Sequence, residues 1–142
     1  MSERRIETYE EFWPFYVREH SDPTNRKLHF VGTSGTIALV IAAMVRRKPI
    51  HLLHAAISGY GGAWIGHFFF QKNTPATFKY PLWSLFSDFR MYGKILAGTM
   101  NDEVARALAA EEERLAREQQ EAAKNEAPKP EAEPELRRED LN

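Results

Sequence analysis

Two uncharged runs flanking a basic cluster limit what this chain can fold into. From Leu28 to Val45 there are 18 residues without a formal charge, close to the minimum that spans a bilayer as a helix. Arg46, Arg47, Lys48 and Pro49 interrupt the run, and a second uncharged stretch continues from Pro49 to Gln71. Neither stretch has the polar face of a surface helix. The short connection predicts an antiparallel helical hairpin. Small residues recur every fourth position, at Ser34, Ala38 and Ala42 in the first run and Ser58, Gly62 and Gly66 in the second. Such rows let membrane helices approach closely. Two buried helices of a soluble bundle are the alternative.

Outside the hairpin the chain divides in two, and averaging its composition hides this. Up to about residue 100 it is apolar and aromatic; beyond, it is mostly Glu, Ala, Arg, Lys and Pro. This predicts a membrane-embedded helical domain over 1–100 and a charged tail over 101–142, helical to about Lys124 and disordered from Pro128. A net charge of -1 gives no basic field for nucleic acid. With no cysteine, disulfides, thiolate metal sites and cysteine nucleophiles are excluded. The opening Met1-Ser2-Glu3-Arg4-Arg5 lacks the apolar core of a signal peptide.

The flanking segments read as helices at the membrane interface. Thr8 and Glu11 form a capping box for a helix over Glu10–His20, where Phe12, Trp13, Phe15 and Tyr16 suit an interfacial face. Asp22 and Pro23 open the next helix as cap and first residue. After a loop from Lys72 to Pro81, Leu82, Leu85, Phe86, Phe89, Gly93 and Leu96 recur at helical spacing, with Tyr80, Trp83 and Tyr92 as interface aromatics. The expected fold is therefore all-α: a membrane hairpin, flanking interfacial amphipathic helices, a charged C-terminal helix and a disordered tail. Arg26, Lys27, Lys72 and Lys79 favour cytoplasmic termini for an integral membrane protein, against the opposite pull of Arg46 to Lys48.

The hairpin sets the depth of the histidines. Counted from its turn, His29 lies about 18 residues back and His67 about 19 forward, which at roughly 1.5 Å per residue puts them level. His20 is on the same side, so His20, Asn25, His29 and His67 can converge. His51 and His54 precede His67 by about 16 and 13 residues, on the order of 20 Å along a helix, and stay apart. Tyr60, seven residues before His67, shares its face. Three neutral imidazoles at one place are a ligand set for Fe, Zn, Cu or Ni. Asp88, Asp22 or Glu19 can add a carboxylate, and Asn25 can orient His29 or bind the ligand. The other reading is that the histidines only pack, in a non-catalytic scaffold or lipid-binding protein.

The order His20-x4-Asn25-Arg26-x2-His29-x2-Gly32, then Trp64-Ile65-Gly66-His67-Phe68, then Asn73-x-Pro75-Ala76-Thr77-Phe78, then Pro81-Leu82-Trp83-Ser84-Leu85-x2-Asp88-Phe89-x-Met91 resembles the small membrane family of 2-hydroxy fatty acid dioxygenases over about residues 8–98. The resemblance implies iron(II)-dependent α-oxidation of a long-chain 2-hydroxy fatty acid by dioxygen, shortening the acid by one carbon. It implies His20, His29 and His67 as iron ligands. Arg26 becomes a candidate for the substrate carboxylate, and Phe30, Phe68, Phe69 and Phe70 become candidates for an acyl groove. Many relatives carry glutamate where this chain has Gln71, which leaves Gln71 and Asp88 as candidate supporting groups around the metal.

Overall fold

The computed structural model describes residues 5–126; the tail expected to be disordered from Pro128 lies outside them. Among the described residues there are five α-helices and no strand. They are α1 (Tyr9–Arg18), α2 (Pro23–Arg46), α3 (Ile50–Ile65), α4 (Pro81–Leu96) and α5 (Met100–Glu126). A π-helical turn, Gly66–Gln71, extends α3, and a 3-10 turn, Ala76–Phe78, precedes α4.

Local chemistry sets the boundaries. The Thr8 hydroxyl accepts from the Glu11 amide at the start of α1. Asp22 accepts from the Thr24 and Asn25 amides and Pro23 opens α2, which needs no amide donor at its first position. α2 ends at Arg47 in the left-handed conformation, φ 51°.

α2 and α3 form the antiparallel hairpin. The Thr36 hydroxyl donates to the Ala55 carbonyl at 2.9 Å and the Ser58 hydroxyl to the Gly32 carbonyl at 3.1 Å. A Cβ built on Gly32 would lie 2.8 Å from the Ser58 carbonyl oxygen, and one on Gly62 2.8 Å from that of Leu28. The α3 row of Ser58, Gly62 and Gly66 therefore is the contact face. On α2 the contact row is Leu28, Gly32 and Thr36, in place of the expected Ser34, Ala38 and Ala42. Ser34 turns away to the Phe30 carbonyl and the Tyr92 hydroxyl, and Ala38 is exposed. α2 is the one helix among the described residues long and apolar enough to cross a membrane. The second uncharged run falls short of a single spanning α-helix, because its regular part ends at Ile65.

α1 departs from the interfacial role expected of it. Phe12, Trp13, Tyr16 and Val17 are buried in a core with Ala76, Met91, Met100, Val104 and Ala107, each large side chain contributing about 1.5–3 kcal/mol when withdrawn from water. The start of α5 is thus core rather than solvated surface. Lys94 and the Trp13 indole both donate to the Glu103 carboxylate, at 2.7 and 3.0 Å. This compact unit reaches to Ala110, and from Glu111 a separate unit begins, in which Arg114 pairs with Glu111 and Glu118.

α4 is oriented opposite to a water-soluble helix. Its serines, Ser84 and Ser87, are buried with Met91, while Leu82, Leu85, Phe86, Phe89 and Leu96 face outward. The hairpin likewise exposes Val31, Ile41, Val45 and Ile57.

A candidate metal centre of three histidines

Each histidine arrives from a different piece of backbone. His20 follows α1, His29 lies in the second turn of α2, and His67 is in the π-helical turn. A π turn inserts an extra residue and reorients what it carries, and such turns recur at functional sites. Gly66 permits this one to sit against α2, since a Cβ there would fall 2.0 Å from the Asn25 side-chain oxygen.

The three rings are buried, at 1%, 5% and 2% exposure for His20, His29 and His67. One nitrogen from each lies within 4.8 Å of the others. The rings stand at 80°, 80° and 90° to one another, an arrangement that gathers nitrogens instead of stacking faces.

Facing away from the cluster, each of the three Nδ1 atoms has an oxygen beside it. His20 donates to the Tyr16 carbonyl at 2.7 Å, the His29 Nδ1 lies 3.2 Å from the Asp88 carboxylate as an ion-pair contact, and His67 donates to the Asn73 amide oxygen at 2.7 Å. The Asn73 orientation is fixed because its NH2 group donates to the Glu19 carboxylate at 2.6 Å. With the protons on Nδ1, the lone pairs are on Nε2. The Nε2 atoms of His20 and His29 are 3.2 Å apart, a repulsive contact unless a proton or a cation is shared. A proton is disfavoured, because burial, followed by neighbouring His29 and His67, holds His20 well below the ordinary imidazole range. Nitrogen donors of this kind, with their outer atoms anchored, fit a transition-metal cation.

Tyr16 serves the cluster three ways. Its carbonyl accepts from His20, its ring stacks on His20 with centroids 4.0 Å apart, and its hydroxyl donates to Asp88. Burial, followed by the Asp88 charge, pushes the Tyr16 phenol well above its ordinary value, so it remains the donor.

The carboxylates stand behind the imidazoles. Asp88 faces His29 and Tyr16, Glu19 backs Asn73, and Asp22 caps α2. Gln71 is also outside the nitrogen cluster: it accepts from the Asp22 amide and donates to the Ser21 hydroxyl, both at 2.8 Å. Arg26 is 8% exposed, with its guanidinium on the carbonyls of His20 and Ser21, at 2.8 and 2.6 Å, and on the Asn101 side chain at 3.1 Å. It closes the turn carrying His20. Asn25 is fully buried against Gly66, its side-chain oxygen unpartnered. His51 and His54 lie 6.0 Å apart near the hairpin turn, outside the cluster.

A cavity of about 320 Å³ opens beside the three rings, with Tyr16, Tyr60, Ser84 and Asp88 also in its wall. Phe68, Phe69 and Phe70 do not line it; they are exposed. Phe30 stacks on Tyr92 at 4.8 Å instead. Sequence reasoning passed over Tyr16, read as an interfacial aromatic, and Asn73, read as a loop residue. The available signal was spacing, with Tyr16 one helical turn before His20.

A family model described as 2-hydroxy-palmitic acid dioxygenase Mpo1-like matches residues 6–100. No curated protein and no solved structure matches the chain.

Proposed function

We propose, for a chain that belongs to the 2-hydroxy-palmitic acid dioxygenase Mpo1-like family, iron(II)-dependent α-oxidation of long-chain 2-hydroxy fatty acids. The family description supports a 2-hydroxy acid and dioxygen as substrates. The observation that carries the metal reading is the convergence of one nitrogen from each of three buried histidines, with an oxygen acceptor beside each Nδ1.

His20, His29 and His67 would hold the iron through Nε2. Iron held there would supply the non-haem chemistry that brings a chelating hydroxy acid and dioxygen together. The balance is a 2-hydroxy acid plus dioxygen giving the acid one carbon shorter, carbon dioxide and water. The bond between the carboxyl carbon and C2 breaks, and the substrate supplies every electron, so no external reductant is needed. The protein's part is to hold three ligands in place before metal arrives. Tyr16, Asp88 and Asn73 do this from outside, and each fixes a tautomer as well as a ring orientation. The buried surroundings keep bulk water from the imidazoles.

The exposed apolar faces of α2, α3 and α4 support an integral membrane location, since contiguous apolar surface of this extent is unfavourable in water. The basic residues Arg26, Lys27, Lys72 and Lys79 support cytoplasmic termini.

The test is metal content of protein purified without air and supplied with iron(II), followed by oxygen uptake with 2-hydroxypalmitate. We expect about one iron per chain, lost in His20→Ala, His29→Ala and His67→Ala and kept in His51→Ala. Iron retained by all three cluster variants would overturn the site. Bound iron with no oxygen uptake on any 2-hydroxy acid would overturn the reaction.

A further inference from the structure

The wall of the cavity beside the histidines reaches along the hairpin. It includes Thr33, Thr36 and Val40 on α2 and Ala63, Ala56 and Leu52 on α3. Thr36 meets Ala55 across the hairpin, so Val40, one turn further along α2, comes level with the turn of α3 that carries Leu52. His29 to Val40 is eleven residues, about 16 Å of helix at roughly 1.5 Å per residue. That is close to half of the roughly 30 Å hydrocarbon thickness of a bilayer, the depth covered by one acyl chain.

The wall is chemically suited to such a chain. It carries no charge beyond the histidine end. The Thr36 hydroxyl is used by the carbonyls of Gly32 and Ala55, at 3.0 and 2.9 Å, and makes no demand on the contents of the cavity. The width comes from side chains that are missing: alanine at 56 and 63 leaves space where a leucine would fill it. At the far end Val40 and Leu52 restore bulk.

We propose that this groove seats the acyl chain of the 2-hydroxy acid, with the carboxyl end at the histidines, and that Val40 and Leu52 form the stop that sets its preferred length. The proposal rests on the substrate class given above. It assigns to two aliphatic residues, far from the polar cluster, the selection among substrates of one chemistry.

The experiment compares 2-hydroxyoctanoate, 2-hydroxypalmitate and a longer 2-hydroxy acid on full-length protein in lipid nanodiscs. Two readouts are used: oxygen uptake with iron, and calorimetric affinity with redox-inactive zinc in its place. Ala56→Phe puts bulk into the groove from an exposed position in its wall. It is expected to lower the affinity for 2-hydroxypalmitate relative to 2-hydroxyoctanoate by roughly tenfold, the worth of about two buried methylenes. Leu52→Ala is expected to shift the preference toward the longer acid. Equal weakening of all lengths, or an unchanged profile in both variants, overturns the groove. Length-dependent affinity in the zinc form that shifts as described, without oxygen uptake by the iron form, supports the groove and removes the reaction. If the wild type binds none of the acids, the groove falls.

Discussion

The His67 ring donates from Nδ1 to the Asn73 amide oxygen at 2.7 Å, across a bend that ends the π-helical turn. Asn73 is held in turn by the Glu19 carboxylate. Replacing it leaves the imidazole in place but frees its rotation and its tautomer. Asn73→Ala is expected to weaken metal binding by about 10–100-fold, as for other groups that orient a ligating histidine, with helix content by circular dichroism unchanged. Metal titration of the two proteins decides it; equal affinity would mean that Asn73 only closes the loop.

Gln71 tests whether a carboxylate at that position reaches the metal. Its contacts are to the Ser21 hydroxyl, the Asp22 amide and, at 3.5 Å, the Asn25 side-chain amide. A carboxylate keeps the acceptor, and the Ser21 hydroxyl can reverse to donate. Gln71→Glu is therefore expected to leave metal affinity within about threefold, a change under about 1 kcal/mol. Gln71→Ala loses these hydrogen bonds and is expected to cost roughly 1–2 kcal/mol in stability. A large gain of iron affinity in Gln71→Glu would show that the carboxylate reaches the metal.

Gly32 tests the hairpin. The added methyl of Gly32→Ala would meet a backbone carbonyl of α3 at 2.8 Å, and backbone cannot swing aside as a flexible side chain can. We expect a loss of about 1–3 kcal/mol, against little change for Gly61→Ala, where the same methyl meets nothing. Thermal unfolding in detergent of the two variants side by side makes the comparison. Equal melting temperatures would contradict the close approach.

Glu103 gives the acid response of the α5 attachment. The hydrogen bonds from Lys94 and the Trp13 indole hold its carboxyl below the usual value. A carboxylate depressed in the folded state stabilises above the unfolded value of about 4.3 and loses that contribution as pH falls through the folded value. Between pH 7 and pH 3 the wild type is expected to lose more stability than Glu103→Gln, whose side chain does not titrate. The difference is read from tryptophan fluorescence during unfolding at each pH, in a background where Trp64 and Trp83 are replaced by Phe. Parallel pH curves would remove Glu103 from the acid response.

Much of this was legible in the chain. Charge-free length and every-fourth small residues announced a helical hairpin. The rise per residue put His29 and His67 level across it, and Asp22-Pro23 marked the start of α2. These are local or one-dimensional properties, fixed by helix geometry once the helices are granted. The readings that missed were those that needed a neighbour. Phe12, Trp13 and Tyr16 look interfacial in isolation and are buried only because α4 and α5 cover them. On α4, by contrast, the apolar stripe faces outward and the serines are inside.

The sequence by itself determined that three histidines from separate segments could reach one end of a hairpin, because chain distance and helical rise suffice for that. Only the tertiary structure decided what stands behind each ring. The Tyr16 carbonyl, the Asp88 carboxylate and the Asn73 amide come from a helix end, a distant helix and a loop. Their positions depend on how those segments pack, and no spacing in the chain encodes a packing angle. It likewise turned Arg26 and Gln71 toward backbone and turn, where hydrogen-bond geometry satisfies them away from the nitrogen cluster.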